Sequence, residues 1–193
     1  MTPLVDHHRR AALGFADLVA RVEAPQWDHP TPCARWSVRD LVHHLTAEAH
    51  WVPPLLAGRT LEEVGDAFDG DLLGDDPVRA HREAVDAAIE AVGQVDLNGT
   101  VHLSFGRVPA RVYVEQLFID HLVHTWDLAR AIGDDERLPA DLVVACLEVV
   151  TAYADDYRAA GLIDPCVTTD RTDPQSRLLA ALGRDPGPPP PAG

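Results

Sequence analysis

Apolar residues along the chain recur mostly at steps of three and four, the spacing of helices that bury one side. Residues 4–22 follow it through Leu4, Ala11, Phe15, Leu18 and Val22. The next segment, APQWDHPTPCARW, breaks the rhythm. Pro25, Pro30 and Pro32 remove backbone donors and restrict the residues before them, so no regular helix crosses it. Ser37 then offers an N-cap oxygen, with Asp40 in the capping-box position three residues on. The helix started there runs from Val38 to about Leu56 with Leu41, Val42, Leu45 and Trp51 on it, and Pro53 and Pro54 are expected to bend its last turn.

The acidic, glycine-dotted AGRTLEEVGDAFDGDLLGDDP predicts a loop with a short helical turn at Leu61–Val64. Asp76-Pro77 opens another helix, reaching about Val92 with Val78, Ala84, Val85, Ala88 and Ile89 on its apolar side. Thr100–Val108 alternates Val101, Leu103 and Phe105 and predicts a short strand or hairpin arm that must lie against the helices.

The strongest pattern is PARVYVEQLFIDHLVHTWDLARAI, residues 109–132. It predicts the helix around which the rest is arranged, with Pro109 at its start and Gly133 as a left-handed stop. Val114, Leu117, Phe118, Leu122, Thr125, Leu128, Ala129 and Ile132 form its buried stripe. GDDERLP leads to a last long helix over about 139–160, ended by Gly161, and a short helix near 174–182 follows. The expected architecture is all-α: about five helices, four of them long, packed as a four-helix bundle with a short β arm and a C-terminal extension. Residues 1–183 are expected to form the bundle, and 184–193, rich in Pro and Gly, a disordered tail.

Within the central helix Asp120, His124 and Asp127 are offset by four and then three, which places their side chains on one face. An Asp/His pair at this spacing is commonly a surface hydrogen bond. Beside an apolar stripe, however, a lone carboxylate is costly, so a cation or a hydrogen-bond network should compensate it. His44 directly precedes the core residue Leu45, and an antiparallel neighbour can bring it opposite the pair. His43 points about 100° away, and Glu48, one turn after His44, is the next candidate. Asp127 or His121 is expected to orient a ligand imidazole. Most of the ten histidines are expected to be solvated or structurally satisfied. Cys33, in its Pro-flanked crossing with no evident base, reads as a small packing residue. Trp36, Trp51 and Trp126 read as core or pocket wall, and Arg39 or Arg111 as groups that can steer an anionic substrate.

Composition narrows the chemistry. A net charge of −15 argues against nucleic acid and anionic membrane surfaces as partners. All 16 basic residues are Arg, so neither a Schiff-base lysine nor a P-loop lysine exists. None of Ser37, Ser104 and Ser176 lies in a G-x-S-x-G elbow. Cys33, Cys146 and Cys166 are odd in number and widely spaced, which indicates neither a disulfide framework nor a Cys-based zinc site. No apolar run is long enough to span a bilayer, and MTPLVDHHRR lacks a signal-peptide core, so a cytoplasmic location is expected.

The phrase TPCARWSVRDLVHHL, followed by DHLVHTWDLARAIG on a later helix, resembles the DinB-like superfamily. More narrowly, it is similar to the branch around mycothiol-dependent maleylpyruvate isomerase and its short actinobacterial metal-binding relatives. The likeness runs from the first helix through DPQSRLLAALGRDP. It implies an up-down-down-up four-helix bundle holding one divalent metal, zinc or nickel, on three side chains. The family's first ligand, the His of its W-x-V-x-D-L-x-x-H-L phrase, falls on His44; the other two, four apart, fall on Asp120 and His124. Asp120 departs from the Glu of the isomerase pattern and the His of many relatives, and the shorter carboxylate changes reach. The isomerase also has a second, C-terminal domain for which this chain is short, which counts against maleylpyruvate as substrate.

Two imidazoles and one carboxylate leave room for water or substrate, the composition of a catalytic zinc site. The function the resemblance implies is a metal-dependent S-transferase or isomerase that uses a low-molecular-weight, mycothiol-like thiol on a small electrophile. The alternatives are a non-catalytic metal-binding bundle in stress response or partner binding, and a metal-dependent hydrolase. A homodimer is an option the bundle leaves open.

Overall fold

A buried helix, packed between two others, organises the structure. The computed structural model describes residues 2–159 and 165–187, the side chains of 154–159 excepted. Its helices in chain order are α1 (Pro3–Val19), α2 (Val38–Leu56), α3 (Leu61–Val64), α4 (Pro77–Gln94), α5 (Ala110–Ile132), α6 (Ala140–Ala159) and α7 (Pro174–Ala181). Strands β1 (Thr100–Leu103) and β2 (Gly106–Pro109) form an antiparallel hairpin with Val101 paired to Val108. The chain divides into two compact units, Met1–Glu136 and Arg137–Gly193.

In the first unit α1 packs on α5 and α4, and α2 packs on α4 and α5, which closes a four-helix ring in the order α1, α5, α2, α4. Sequence neighbours α1 and α2 are therefore diagonal, as are α4 and α5. The segments 20–37 and 95–109 must cross the bundle ends, which explains why these two connections are long. The all-α architecture and its short β arm are those expected from the periodicity. In the second unit α6 packs on α7. Gly161 and residues 188–193 of the expected tail lie outside the described residues, while Arg184 N–H still donates to Leu179 O at 2.8 Å.

Helix α5 is buried on nearly every side. Besides the expected stripe, Tyr113, Ile119, His121, Val123, His124, Trp126 and Asp127 are buried, whereas Thr125 and Ile132 are only half-buried. Helices α1 and α2 and the hairpin pack against it from several directions, so a single-stripe reading falls short. Each fully buried large apolar side chain, such as Phe118 or Leu122, contributes about 1.5–3 kcal/mol. Gly133, at φ 74°, ends the helix in the left-handed region, which glycine enters without steric cost.

Helix α2 starts where its capping box predicts. Ser37 Oγ accepts from Asp40 N–H at 3.2 Å, and Asp40 Oδ2 accepts from Ser37 N–H at 2.9 Å. The inward face of α2 (Val38, Leu41, Val42 and Leu45) packs with Phe15, Leu18 and Val19 of α1 and Leu128 and Ala129 of α5 in one core. That core fixes the rotation of α2 and, with it, where His44 points.

A two-sided candidate metal centre

His44 sits one residue before the fully buried Leu45, so it emerges at the edge of the α2–α5 seam. Its Nε2 lies 3.1 Å from Asp120 Oδ2, and the other carboxylate oxygen, Oδ1, lies 3.2 Å from His124 Nε2. The donor atoms of all three lie within 4.8 Å of one another. Tetrahedral zinc with bonds of about 2.0–2.1 Å to N and O separates its donors by about 3.3 Å, so the observed spacings fit one ion with little movement. The structure thus brings together the three residues singled out in the sequence.

One side of this cluster is open. His44 and Asp120 keep 30% and 32% of their side-chain surface exposed, against 6% for His124 and 0% for Asp127. Trp36 forms a wall, its ring centroid 4.9 Å from that of His44 and 6.0 Å from that of His124. Trp126 is core, as one of its two expected roles has it.

Behind the open face, Asp127 Oδ2 lies 2.8 Å from His124 Nδ1. This carboxylate–imidazole contact fixes the ring and turns Nε2 toward Asp120, the arrangement that supports metal-ligating histidines. Of the two orienting residues expected, Asp127 takes the position and His121 does not. The His121 ring Nδ1 instead contacts Leu117 O at 2.8 Å, and its edge meets the rings of His8 and Phe15.

The charges are arranged against burial. Burial alone would raise the Asp120 carboxyl, but the His124 and His44 imidazoles, by charge and hydrogen bond, outweigh it and hold Asp120 well below the usual carboxylate range. Burial likewise pulls His124 down, and the Asp120 charge with the hydrogen bonds that His124 makes to Asp120 and Asp127 and with Cys33 outweighs it, holding His124 well above the usual imidazole range. Glu48 is pushed up by its own burial first and by the Asp120 charge second. A positive charge is therefore favoured at the His124 Nε2 position, supplied by a proton or by a cation in its place.

Sequence reasoning missed Cys33. Its Sγ–H donates to Asp127 Oδ2 at 3.3 Å, and Sγ lies 3.7 Å from His124 Nδ1. The bases it lacks in sequence are provided by α5, so it is more than a packing residue. A tight loop delivers it. Thr31 N–H donates to Trp36 O at 2.9 Å, Trp36 N–H to Cys33 O at 3.0 Å, and Pro30 bridges to Ser37. Arg35, at φ 72°, takes a left-handed conformation that costs a side-chain-bearing residue about 1 kcal/mol or more. The Pro-flanked TPCARW phrase was the available signal. Arg39, by contrast, is tied to Asp71 and to Gly74 O.

Residues 8–129 match the family described as Mycothiol maleylpyruvate isomerase N-terminal domain, a span holding His44, Asp120, His124 and Asp127. Two relatives are similar along almost their whole length: the Uncharacterized protein MT0763 of Mycobacterium tuberculosis strain CDC 1551 and the Uncharacterized protein Rv0738 of strain H37Rv. Each is 32% identical over 188 residues, covering 95% of this chain and 98% of the relative. No solved structure matches the chain. The chain belongs to the Mycothiol maleylpyruvate isomerase N-terminal domain family.

Proposed function

We propose, from that membership and the donor geometry, that this chain is a metal-dependent enzyme acting on a small electrophile with a low-molecular-weight thiol such as mycothiol, as an S-transferase or isomerase. The observation that carries the reading is the convergence of His44, Asp120 and His124 at a face open on one side. Two imidazoles and one carboxylate are the donor set of catalytic zinc centres.

His44, Asp120 and His124 would hold a divalent zinc or nickel ion, which supplies Lewis acidity that draws a bound thiol or water toward its anion near neutral pH. The chain's own residues do the rest. Asp127 holds the His124 ring so that Nε2 faces the open side. Trp36 walls one flank. Glu48, raised by burial and by the Asp120 charge, can carry a proton beside the site.

Elemental analysis of the purified wild type beside Asp120→Ala, followed by turnover of a small electrophile with and without mycothiol, tests the reading. The expected result is one equivalent of zinc or nickel that wild type holds and the variant loses, and turnover that needs both metal and thiol. Thiol-independent turnover would make the chain a hydrolase. Metal without turnover would make it a binding bundle. A wild type without stoichiometric metal ends the enzyme reading altogether.

A further inference from the structure

We propose that His124 serves two cation positions, one at each ring nitrogen, and that Cys33 Sγ, His124 Nδ1 and Asp127 Oδ2 form a second, thiolate-containing metal site. The three donors are mutually close: 3.3 Å from Sγ to Oδ2, 3.7 Å from Sγ to Nδ1 and 2.8 Å from Nδ1 to Oδ2. A tetrahedral ion with a bond of about 2.3 Å to sulfur and about 2.0 Å to nitrogen or oxygen separates such donors by about 3.3–3.5 Å. The cluster therefore has the dimensions of an ion's coordination shell. Its members also come from two independent elements, the 30–37 loop and α5.

Orienting His124 needs only Asp127. Cys33 adds a soft donor that this role does not use, and the loop holds it there through a left-handed Arg35. Asp127 is fully enclosed and Cys33 half-buried, so an ion enters from the Cys33 side. A thiolate, imidazole and carboxylate set selects zinc, cobalt or another thiophilic cation over calcium or magnesium. Binding releases the Sγ proton and the Nδ1 proton to solvent. When the His44–Asp120 side is also filled the Nε2 proton leaves as well, and the His124 ring serves both cations as an imidazolate. The second site rests on observations separate from those behind His44 and Asp120, while it shares His124 and Asp127 with the catalytic reading.

Cobalt(II) titration of the metal-stripped full chain separates the two. The wild type is expected to take up two cobalt ions per chain, one of them raising an intense near-ultraviolet sulfur-to-cobalt charge-transfer band. Cys33→Ser is expected to lose that band and one equivalent with its helical circular dichroism unchanged, and Cys166→Ser to lose neither. His44→Ala should lose the other equivalent and keep the band. Absence of the band in wild type, its persistence in Cys33→Ser, or a single equivalent overall overturns the proposal. Absence of the band with the His44-dependent equivalent retained overturns this proposal and leaves the catalytic-site reading standing, whereas a single equivalent that His44→Ala does not remove overturns both. Should Cys33→Ser not fold, cadmium NMR of the wild type reads the ligands directly: a resonance typical of one sulfur donor is expected, and only nitrogen and oxygen ligation refutes the site.

Discussion

His44 Nε2 and Asp120 Oδ2 lie 3.1 Å apart although 76 residues separate them in the chain. The contact joins α2 to α5 at the polar edge of an apolar seam. With about a third of each side chain exposed, such a pair contributes only about 0–1 kcal/mol to stability. Its value lies in the donors it gathers. His44→Ala is accordingly expected to shift the unfolding free energy by no more than about 1 kcal/mol in urea titration while abolishing stoichiometric zinc or nickel binding at that site.

Asp127→Asn keeps an acceptor near His124 Nδ1 but removes the charge that steadies the ring. Metal affinity is expected to fall about 10–100-fold with helicity retained, as read by competition with a chromogenic chelator.

Metal binding at the His44–Asp120 face should be opposed by acid. His124 is held above the usual imidazole range, so without metal its Nε2–H donates to Asp120, and a cation must displace that proton. Below the raised value affinity is expected to drop about tenfold per pH unit, and above it to level off. Calorimetry of Cys33→Ser in buffers of different ionisation enthalpy should find about one proton released per ion.

A separate acid effect comes from the far side of α5. His8 and His81 are pulled down to about 3, each by burial first and by the nearby His121 second. Their folded values lie below that of an unfolded histidine, so the unfolded chain binds the extra protons. The stabilising effect is complete above the unfolded value of 6.5 and is lost as pH falls from there toward 3. In that window each histidine is expected to add about 1.4 kcal/mol per pH unit to the slope of unfolding free energy against pH. His8→Leu should reduce that slope by one histidine's share.

Ser37→Ala removes the oxygen that accepts from Asp40 N–H and should destabilise the chain by about 1 kcal/mol, measured by thermal or urea unfolding.

Helix content was legible because it rests on local rules: the Ser37 cap, Asp76 accepting from Arg79 N–H, and the left-handed Gly133 each act within a few residues. The His44–Asp120–His124 set was approachable because two of its members share a helix face and the third borders a core position. What escaped depends on packing alone. His8, His81 and His121 come from three helices and carry no common spacing, yet meet around Phe15. Thr46 Oγ1, 2.9 Å from His81 Nδ1, adds a fourth element to that group. Cys33 lies in a stretch without periodicity, where one backbone turn decides which way the thiol faces.

That turn has a mechanical consequence. The Pro30–Ser37 bridge and the Trp36-to-Cys33 hydrogen bond make the thiol and the first residue of the helix-start motif parts of a single clasp. Opening the clasp far enough to swing Cys33 off Asp127 also loosens the anchor of the helix that carries His44. Moving the thiol is therefore expected to disturb the start of the helix on the opposite edge of His124 as well.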